Sequence, residues 1–218
     1  MRKLEEKLSK EKIVRAAFEL LTENPELEKL SMRKVAQKLD IQAPAIYWHV
    51  ENKQALLQSM AEEIENRFIP PEPKKNWKET LYAYMENYYE LYQSFPCAIE
   101  IEIQTIPSYP SRLRNLDAML AILHEAGFSI ELSYMTITSL QHLLFGMLMD
   151  SSEEKKLYNK VIAGDDYLKK QIILMKQYVQ EHNLNNISES IQYRQKAKQK
   201  EFFMKTLRVF LNGLDAFV

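Results

Sequence analysis

The sequence predicts an all-α protein: an N-terminal three-helix unit followed by a larger C-terminal helical domain. Three observations lead there. Glycine occurs only four times in 218 residues, so long stretches run without the non-proline residue that most weakens a helix interior. Those stretches are rich in Leu, Glu, Lys, Gln, Ala and Met, and their apolar residues recur at helical spacing. The eight prolines cluster between the periodic segments, three of them at Pro70, Pro71 and Pro73, where one domain is expected to give way to another.

The elements follow in order. Ser9 is placed to cap a first helix whose Ile13, Ala16, Ala17, Leu20 and Leu21 share one face, and Asn24-Pro25 stops it. Ser31 caps a second, with Val35, Ala36 and Leu39 inward and Arg33, Lys34 and Lys38 outward. Asp40 stands where a helix end favours a left-handed residue, and Asp tolerates that conformation better than most. Pro44 fits only in the first turn of a third helix, where its missing N–H is not needed. Asn52 caps a fourth helix, expected to run to about Phe68. Beyond the proline break, residues 76–94 read as an aromatic amphipathic helix. Shorter helices are expected at 97–106 and at 111–126, ending at Gly127, and an apolar one at 129–150. The polar stretch 151–166 reads as a loop, 166–182 as a helix, Asn183–Ser190 as a linker and 195–217 as the last helix.

Composition narrows the class. A 46% apolar content supports a substantial core. A formal net charge of −1 excludes a uniformly basic nucleic-acid binder, so any such contact must come from a local patch. No stretch offers the roughly 18 apolar residues of a membrane span or a leader's apolar core, so no membrane partner is expected. The single Cys97 excludes an intramolecular disulfide framework and suits a reducing cytoplasm, the expected location.

Helices two and three, joined by a tight turn, have the helix-turn-helix layout. Their inward set (Val35, Ala36, Leu39, Ile41, Ile46, Val50) is complete, which leaves Gln42, Ala43, Ala45, Tyr47, Trp48 and His49 on the other face of the third helix. Tyr47 and Trp48 are adjacent and cannot both be buried on so short a helix. An exposed aromatic there points to a partner surface.

The run Leu30-Ser-Met-Arg-Lys-Val-Ala-Gln-Lys-Leu-Asp-Ile-Gln-Ala-Pro-Ala-Ile-Tyr-Trp-His-Val-Glu-Asn-Lys53 resembles the signature of the TetR family of transcriptional regulators. Its Tyr47-Trp-His-Val-x-Asn-Lys53 ending is closest to the tetracycline-repressor subgroup, while the C-terminal half is more diverged. The resemblance implies a helix-turn-helix DNA-binding domain at residues 1–69 and an effector-binding and dimerisation domain at 70–218. It implies that Arg33 and Lys34 contact DNA, Arg33 suiting a bidentate contact to guanine. Gln42, Ala43, Pro44 and Ala45 would enter the major groove, and Tyr47, Trp48, His49 and Lys53 would hold phosphates and sugars. Ala43 and Ala45 stand where the subgroup has polar base readers, so a different operator is expected.

The implied function is that of a repressor, a homodimer on a palindromic double-stranded operator, released when a small-molecule effector binds. Two short reading helices one DNA turn apart supply contacts that one cannot. The dimer surface is expected on residues 129–150 and the last helix. Candidate effector contacts are Tyr84, Tyr88, Tyr92, Glu102, Thr105, His142 and Asp150. His142 and Gly146 resemble the family's His-x-x-x-Gly run, Asp150 matches an acidic position, and Glu102 falls where the subgroup has a metal-binding histidine. Ile69 and Tyr84 replace a histidine and an amide that hold the drug in the subgroup. An aromatic pocket of this kind suits a flat, partly apolar ligand. Glu102 and Asp150 facing each other across a dimer would suit magnesium, but a ligand would have to complete the shell, and no metal or other cofactor is expected. His124 and His182 read as surface residues, and the basic run from Arg194 to Arg208 as a solvated helix face. No phosphate loop, HExxH or nucleophile elbow is present, and Cys97 with His124 or His142 matches no nucleophile signature, so no catalytic residue and no enzyme is expected. The alternatives are a non-inducible or activating DNA-binding dimer and, further off, a helical enzyme.

Overall fold

The computed structural model describes residues 7–217, so the outermost residues of both expected domains, 1–6 and 218, lie outside it. Among the described residues every regular element is helical. None of those helices is long and apolar enough to cross a membrane. The chain forms two compact units that divide between Thr138 and Ser139.

The first unit begins with α1 (Lys10–Glu23), α2 (Met32–Lys38), α3 (Ala43–Tyr47) and α4 (Lys53–Asn66), with a single 3₁₀ turn at Leu27–Lys29. Each capping residue expected from sequence does its work. Ser9 and Ser31 accept the N–H of Lys12 and Lys34 at 3.3 Å, and Asn52 accepts that of Ala55 at 2.9 Å. Asp40 takes φ 54°, which lets the Ile41 N–H reach back to the Ala36 carbonyl at 3.0 Å and closes α2. Ile13, Val35, Ile46, Leu56, Met60 and Ile64 are fully enclosed, joining the four helices through one apolar core.

The same unit continues with α5 (Trp77–Ser94), α6 (Ala98–Ile103) and α7 (Pro110–Glu125). Asn76 caps α5 through the Glu79 N–H at 3.0 Å. Phe68, at the exit of α4, stacks on Tyr88 of α5 with ring centroids 3.9 Å apart, and Trp77 meets Phe128 edge-on at 4.9 Å. α4 packs against α6 and α7, and α5 against both as well.

Three boundaries differ from the sequence expectation. α8 runs from Ile130 to Ile162, so residues 151–162 are helical and not a loop. Polarity misleads there: Ser151-Ser152 does not stop a helix, and the following Glu, Lys and Leu residues favour one, with Glu153 and Lys156 paired at 2.7 Å. The stop is Gly164, whose φ of 105° lets Asp165 N–H bond to the Lys160 carbonyl. α9 (Asp166–Glu181) ends the same way at Asn183, and α10 (Asn185–Lys196) then occupies most of the expected linker. α11 (Gln199–Gly213) therefore starts later than expected, after Ala197-Lys198, and a 3₁₀ turn follows at Leu214–Phe217. In the second unit, Leu140, Leu144 and Leu148 of α8 and Phe203, Leu207 and Leu211 of α11 form buried stripes. α9 and α10 bury no residue in the single chain, although they carry Ile173, Tyr178, Ile187 and Tyr193.

Because Asn52 supplies the cap on which α4 starts, Asn52→Ala is expected to lower unfolding stability by about 1 kcal/mol, measured by denaturant unfolding.

Candidate nucleic-acid interface and a buried polar cluster

α3 is too short to bury two faces, and its one buried side chain, Ile46, fixes which side faces inward. Trp48 consequently stands 88% exposed and Tyr47 51% exposed, with His49 exposed beside them. Gln42 precedes the helix without capping it, leaving its carboxamide out in solvent, and Pro44 sits in the first turn as expected. Ala43 and Ala45 are half-buried, so the tip is flanked by methyl groups. Arg33 and Lys34 are exposed on α2. Lys53 is half-buried and donates to the Leu27 carbonyl at 3.2 Å, which holds its ammonium near the head of α4 with two donors left.

One residue was missed. Gln37 lies one turn after Arg33 on α2, and the two line a cleft of about 400 Å³ with Asp40, Gln42 and Ala43. The i,i+4 spacing from Arg33 was the available signal. This face presents a guanidinium, two carboxamides, a carboxylate and a large aromatic without covering them, the mixture that reads base edges and grips a phosphate backbone.

The second constellation is buried. Glu65, in the last turn of α4, is 1% exposed. Its carboxylate accepts the Tyr88 hydroxyl at 2.6 Å, the Asn115 amide at 2.7 Å and the Arg112 guanidinium at 3.4 Å. Arg112, 4% exposed, also donates to the Tyr92 hydroxyl at 3.3 Å and lies over the Tyr88 ring. Its Nε has no hydrogen-bond partner among the described residues. Glu102, 7% exposed on α6, accepts the Tyr109 hydroxyl at both carboxylate oxygens, at 3.0 and 2.9 Å. Burial pushes the Glu102 carboxyl up to about 7, with Arg112 opposing the shift and Glu65 adding to it. Burial likewise raises the Tyr88 and Tyr109 phenols, which remain protonated donors. Burial works against the Arg112 charge, but Tyr92, Tyr88, Glu65 and Glu102 together outweigh it and keep the guanidinium protonated.

Comparison with known proteins matches both halves. Residues 13–60 match the family described as bacterial regulatory proteins of the tetR family, and residues 69–218 match the tetracyclin repressor-like C-terminal domain. The chain belongs to the TetR family. Among its TetR relatives, the class A tetracycline repressor from transposon 1721 of Escherichia coli is 31% identical over 147 residues, 66% of this chain and 67% of that one. The class D repressor of Escherichia coli is 29% identical over 166 residues, 74% of this chain and 75% of that one. A solved structure of a possible TetR family regulator from Streptomyces coelicolor A3(2) superposes with a TM-score of 0.77. It covers 96% of this chain and 100% of its own at 22% identity, which is a likeness of fold. The protein is therefore a DNA-binding transcriptional regulator with a TetR helix-turn-helix.

Of the expected effector residues, the structure gathers Tyr88, Tyr92 and Glu102 into the buried cluster and stacks Tyr84 on Phe68 beside it. Thr105 turns its hydroxyl to the Ile101 and Glu102 carbonyls, capping its own helix. His142 is exposed in the second unit. Asp150, in the same unit, pairs with Arg194 at 2.8 Å, and Arg194 also reaches Glu154. Sequence periodicity did not single out Glu65, Tyr109, Arg112 or Asn115. Glu65 and Arg112 carried one signal: each charged residue falls on the inward stripe of its own helix.

Two outcomes follow. The Glu102 carboxyl, ordinarily near 4.5, is raised in the folded chain, which therefore holds more protons there than the unfolded chain between pH 4.5 and about 7. Its contribution to stability falls as pH rises through that window and is lowest above 7. Glu102→Gln is expected to raise unfolding stability at pH 8, by at most about 3 kcal/mol, and to change it little at pH 4.5. An equal effect at both pH values would contradict the assignment. On the exposed face, Arg33→Ala is expected to weaken specific DNA binding by about 1–3 kcal/mol and relax preference at one base pair, with the unfolding midpoint unchanged. Binding titrations on permuted sites read both effects.

Proposed function

We propose that the chain is a cytoplasmic transcriptional repressor that binds a palindromic operator as a homodimer and lets go when a small molecule binds its C-terminal domain. The observation that carries this reading is the uncovered face of α3. An aromatic as large as Trp48 standing 88% in water, beside Tyr47, His49 and the Arg33–Gln37–Gln42 cleft, is an unmet contact surface. In this reading residues 1–69 form the DNA-binding domain and 70–218 the effector and dimerisation domain. Arg33, Gln37 and Gln42 read base edges, and Ala43 and Ala45 meet thymine methyls. Pro44 shapes the tip, and Lys34, Tyr47, Trp48, His49 and Lys53 hold the backbone. The relatives' names place tetracycline repressors nearby in sequence, and the effector here is read as a different, flat and partly aromatic molecule. Ile69 is 76% exposed and has no polar side-chain atom to offer a drug, and the Tyr84 ring is engaged with Phe68. Effector binding shifts the DNA-binding equilibrium only by its differential affinity for the two states, about 1–3 kcal/mol in comparable couplings.

Sheared genomic DNA from the source organism, captured by the purified protein at physiological salt and sequenced, tests the reading. Enrichment of one or a few sites with two half-sites about one helical turn apart is expected. A dimer that enriches nothing would overturn it.

A further inference from the structure

Asp40 has a side chain that the turn between α2 and α3 does not use. Its φ of 54° is left-handed backbone, where a Cβ crowds the following carbonyl and glycine fits with least strain. Main-chain bonds alone close the turn: the Asp40 N–H goes to the Gln37 carbonyl at 3.1 Å and the Ile41 N–H to the Ala36 carbonyl at 3.0 Å. An aspartate in a turn commonly accepts a nearby backbone N–H, but this carboxylate does not. It is exposed, and it has no hydrogen bond or ion pair among the described residues.

Asp40 lines the same cleft of about 400 Å³ as Arg33, Gln37 and Gln42. Arg33 is also exposed, and the two opposite charges share the cleft without pairing with each other. On a surface that meets DNA, a carboxylate repels phosphates and cannot help to hold the backbone. What it can accept is an N–H on a base edge.

The major groove decides which base that is. Cytosine and adenine show an amino group at the middle of the pair, where thymine and guanine show a carbonyl oxygen. Adenine's amine is flanked on both sides by acceptors, its own N7 and the O4 of its thymine. Cytosine's amine has an acceptor on one side only, the O6 of its guanine, so a carboxylate meets it with less repulsion. That guanine presents O6 and N7 together, the pair of acceptors that a guanidinium takes bidentately. A G·C pair thus offers side by side what the unpaired Arg33 and Asp40 lack.

We propose that Asp40 is a specificity-determining residue: it accepts the amino group of a cytosine beside the guanine taken by Arg33, so that the α2–α3 turn selects a G·C pair in the operator. The proposal rests on the reading of this face as the operator contact. Asp40 acts as much by rejection as by attraction, because thymine or guanine at that position sets a carbonyl oxygen against the carboxylate with no proton between them.

The test uses the full chain as wild type, Asp40→Asn and Asp40→Gly, with Arg33→Ala to mark the guanine. Each protein selects sites from a pool of random double-stranded DNA and is then titrated on the wild-type site with every base pair changed in turn. Unfolding midpoints are measured alongside. Asn and Gly both accept left-handed backbone, so the Asp40 variants are expected to keep or raise the midpoint. Wild type is expected to prefer cytosine to thymine at one position by about fivefold or more, the low end of what one base pair contributes. Both Asp40 variants are expected to lose that preference and keep the others. The position is expected to lie on, or one step from, the pair whose guanine Arg33→Ala no longer selects. Affinity for unrelated DNA is expected to rise once the charge is gone. A rise uniform over all sequences, with the cytosine preference intact, would overturn the proposal and leave Asp40 a repelling charge only. A lost preference more than one step from the Arg33 position would overturn it as well. A wild-type protein that selects no sequence brings down the operator reading and this proposal with it, whereas a selected site that both Asp40 variants read unchanged brings down the proposal alone.

Discussion

A guanidinium enclosed by helices has to be answered by acceptors, and Arg112 draws its answer from two other helices at once. Glu65 comes to it from α4 and Tyr92 from α5, while its own helix adds Asn115 to the same carboxylate. None of these groups could remain buried alone without a penalty of several kcal/mol, so each helix is held where its polar group is satisfied. The four-helix arrangement around α4 has to meet this mutual requirement as well as bury its apolar surface. The second carboxylate, Glu102, sits at the margin of the same constraint. Burial raises its proton affinity to near neutral pH, against the opposing pull of Arg112 and of the Tyr109 hydroxyl that it accepts at both oxygens.

The reading head obeys the opposite rule. Its inner side is closed by Val35, Ile46 and Val50, and Arg33, Lys34, Gln42, Tyr47, Trp48 and His49 stand exposed on the outer side. Such a surface is stable because α1, α2 and α4 supply the core and α3 contributes little beyond Ile46. That division of labour leaves Gln42, Ala43 and Ala45 outside the core: none of the three is buried, so the fold does not dictate their side chains. A TetR regulator can in this way change the DNA it reads while keeping the helix that carries the reader.

α4 belongs to both arrangements. Its first turn, capped by Asn52 and approached by the Lys53–Leu27 contact, is part of the head, and its last turn ends in the buried cluster. Between them the Gln58 carboxamide mimics a peptide partner for Ile106 and ties the middle of the helix to the turn leading into α7. A helix with a polar anchor at each stage is tied along its length to the elements packed against it.

Much of the architecture was legible in the residues themselves. Local rules placed the starts of α1, α2 and α4, through Ser9, Ser31 and Asn52, and the turn at Asp40, because a cap or a left-handed residue acts on backbone groups a few positions away. The exposed face of α3 was legible for a similar reason: a five-residue helix with one complete apolar side has no second side to bury. The same local rules failed where polarity was taken for disorder, at 151–162 and at 185–196. There the chain goes on as helix until Gly164, or until Ala197, and solvated residues do not stop it. The buried cluster was only half visible. Tyr88, Tyr92 and Glu102 stood out as an aromatic and acidic set, but nothing local joins Glu65 to Arg112 and Asn115, which lie 47 and 50 residues away. Pairing across that separation is decided by how helices pack, and packing alone determines which charged side chains share one enclosed space.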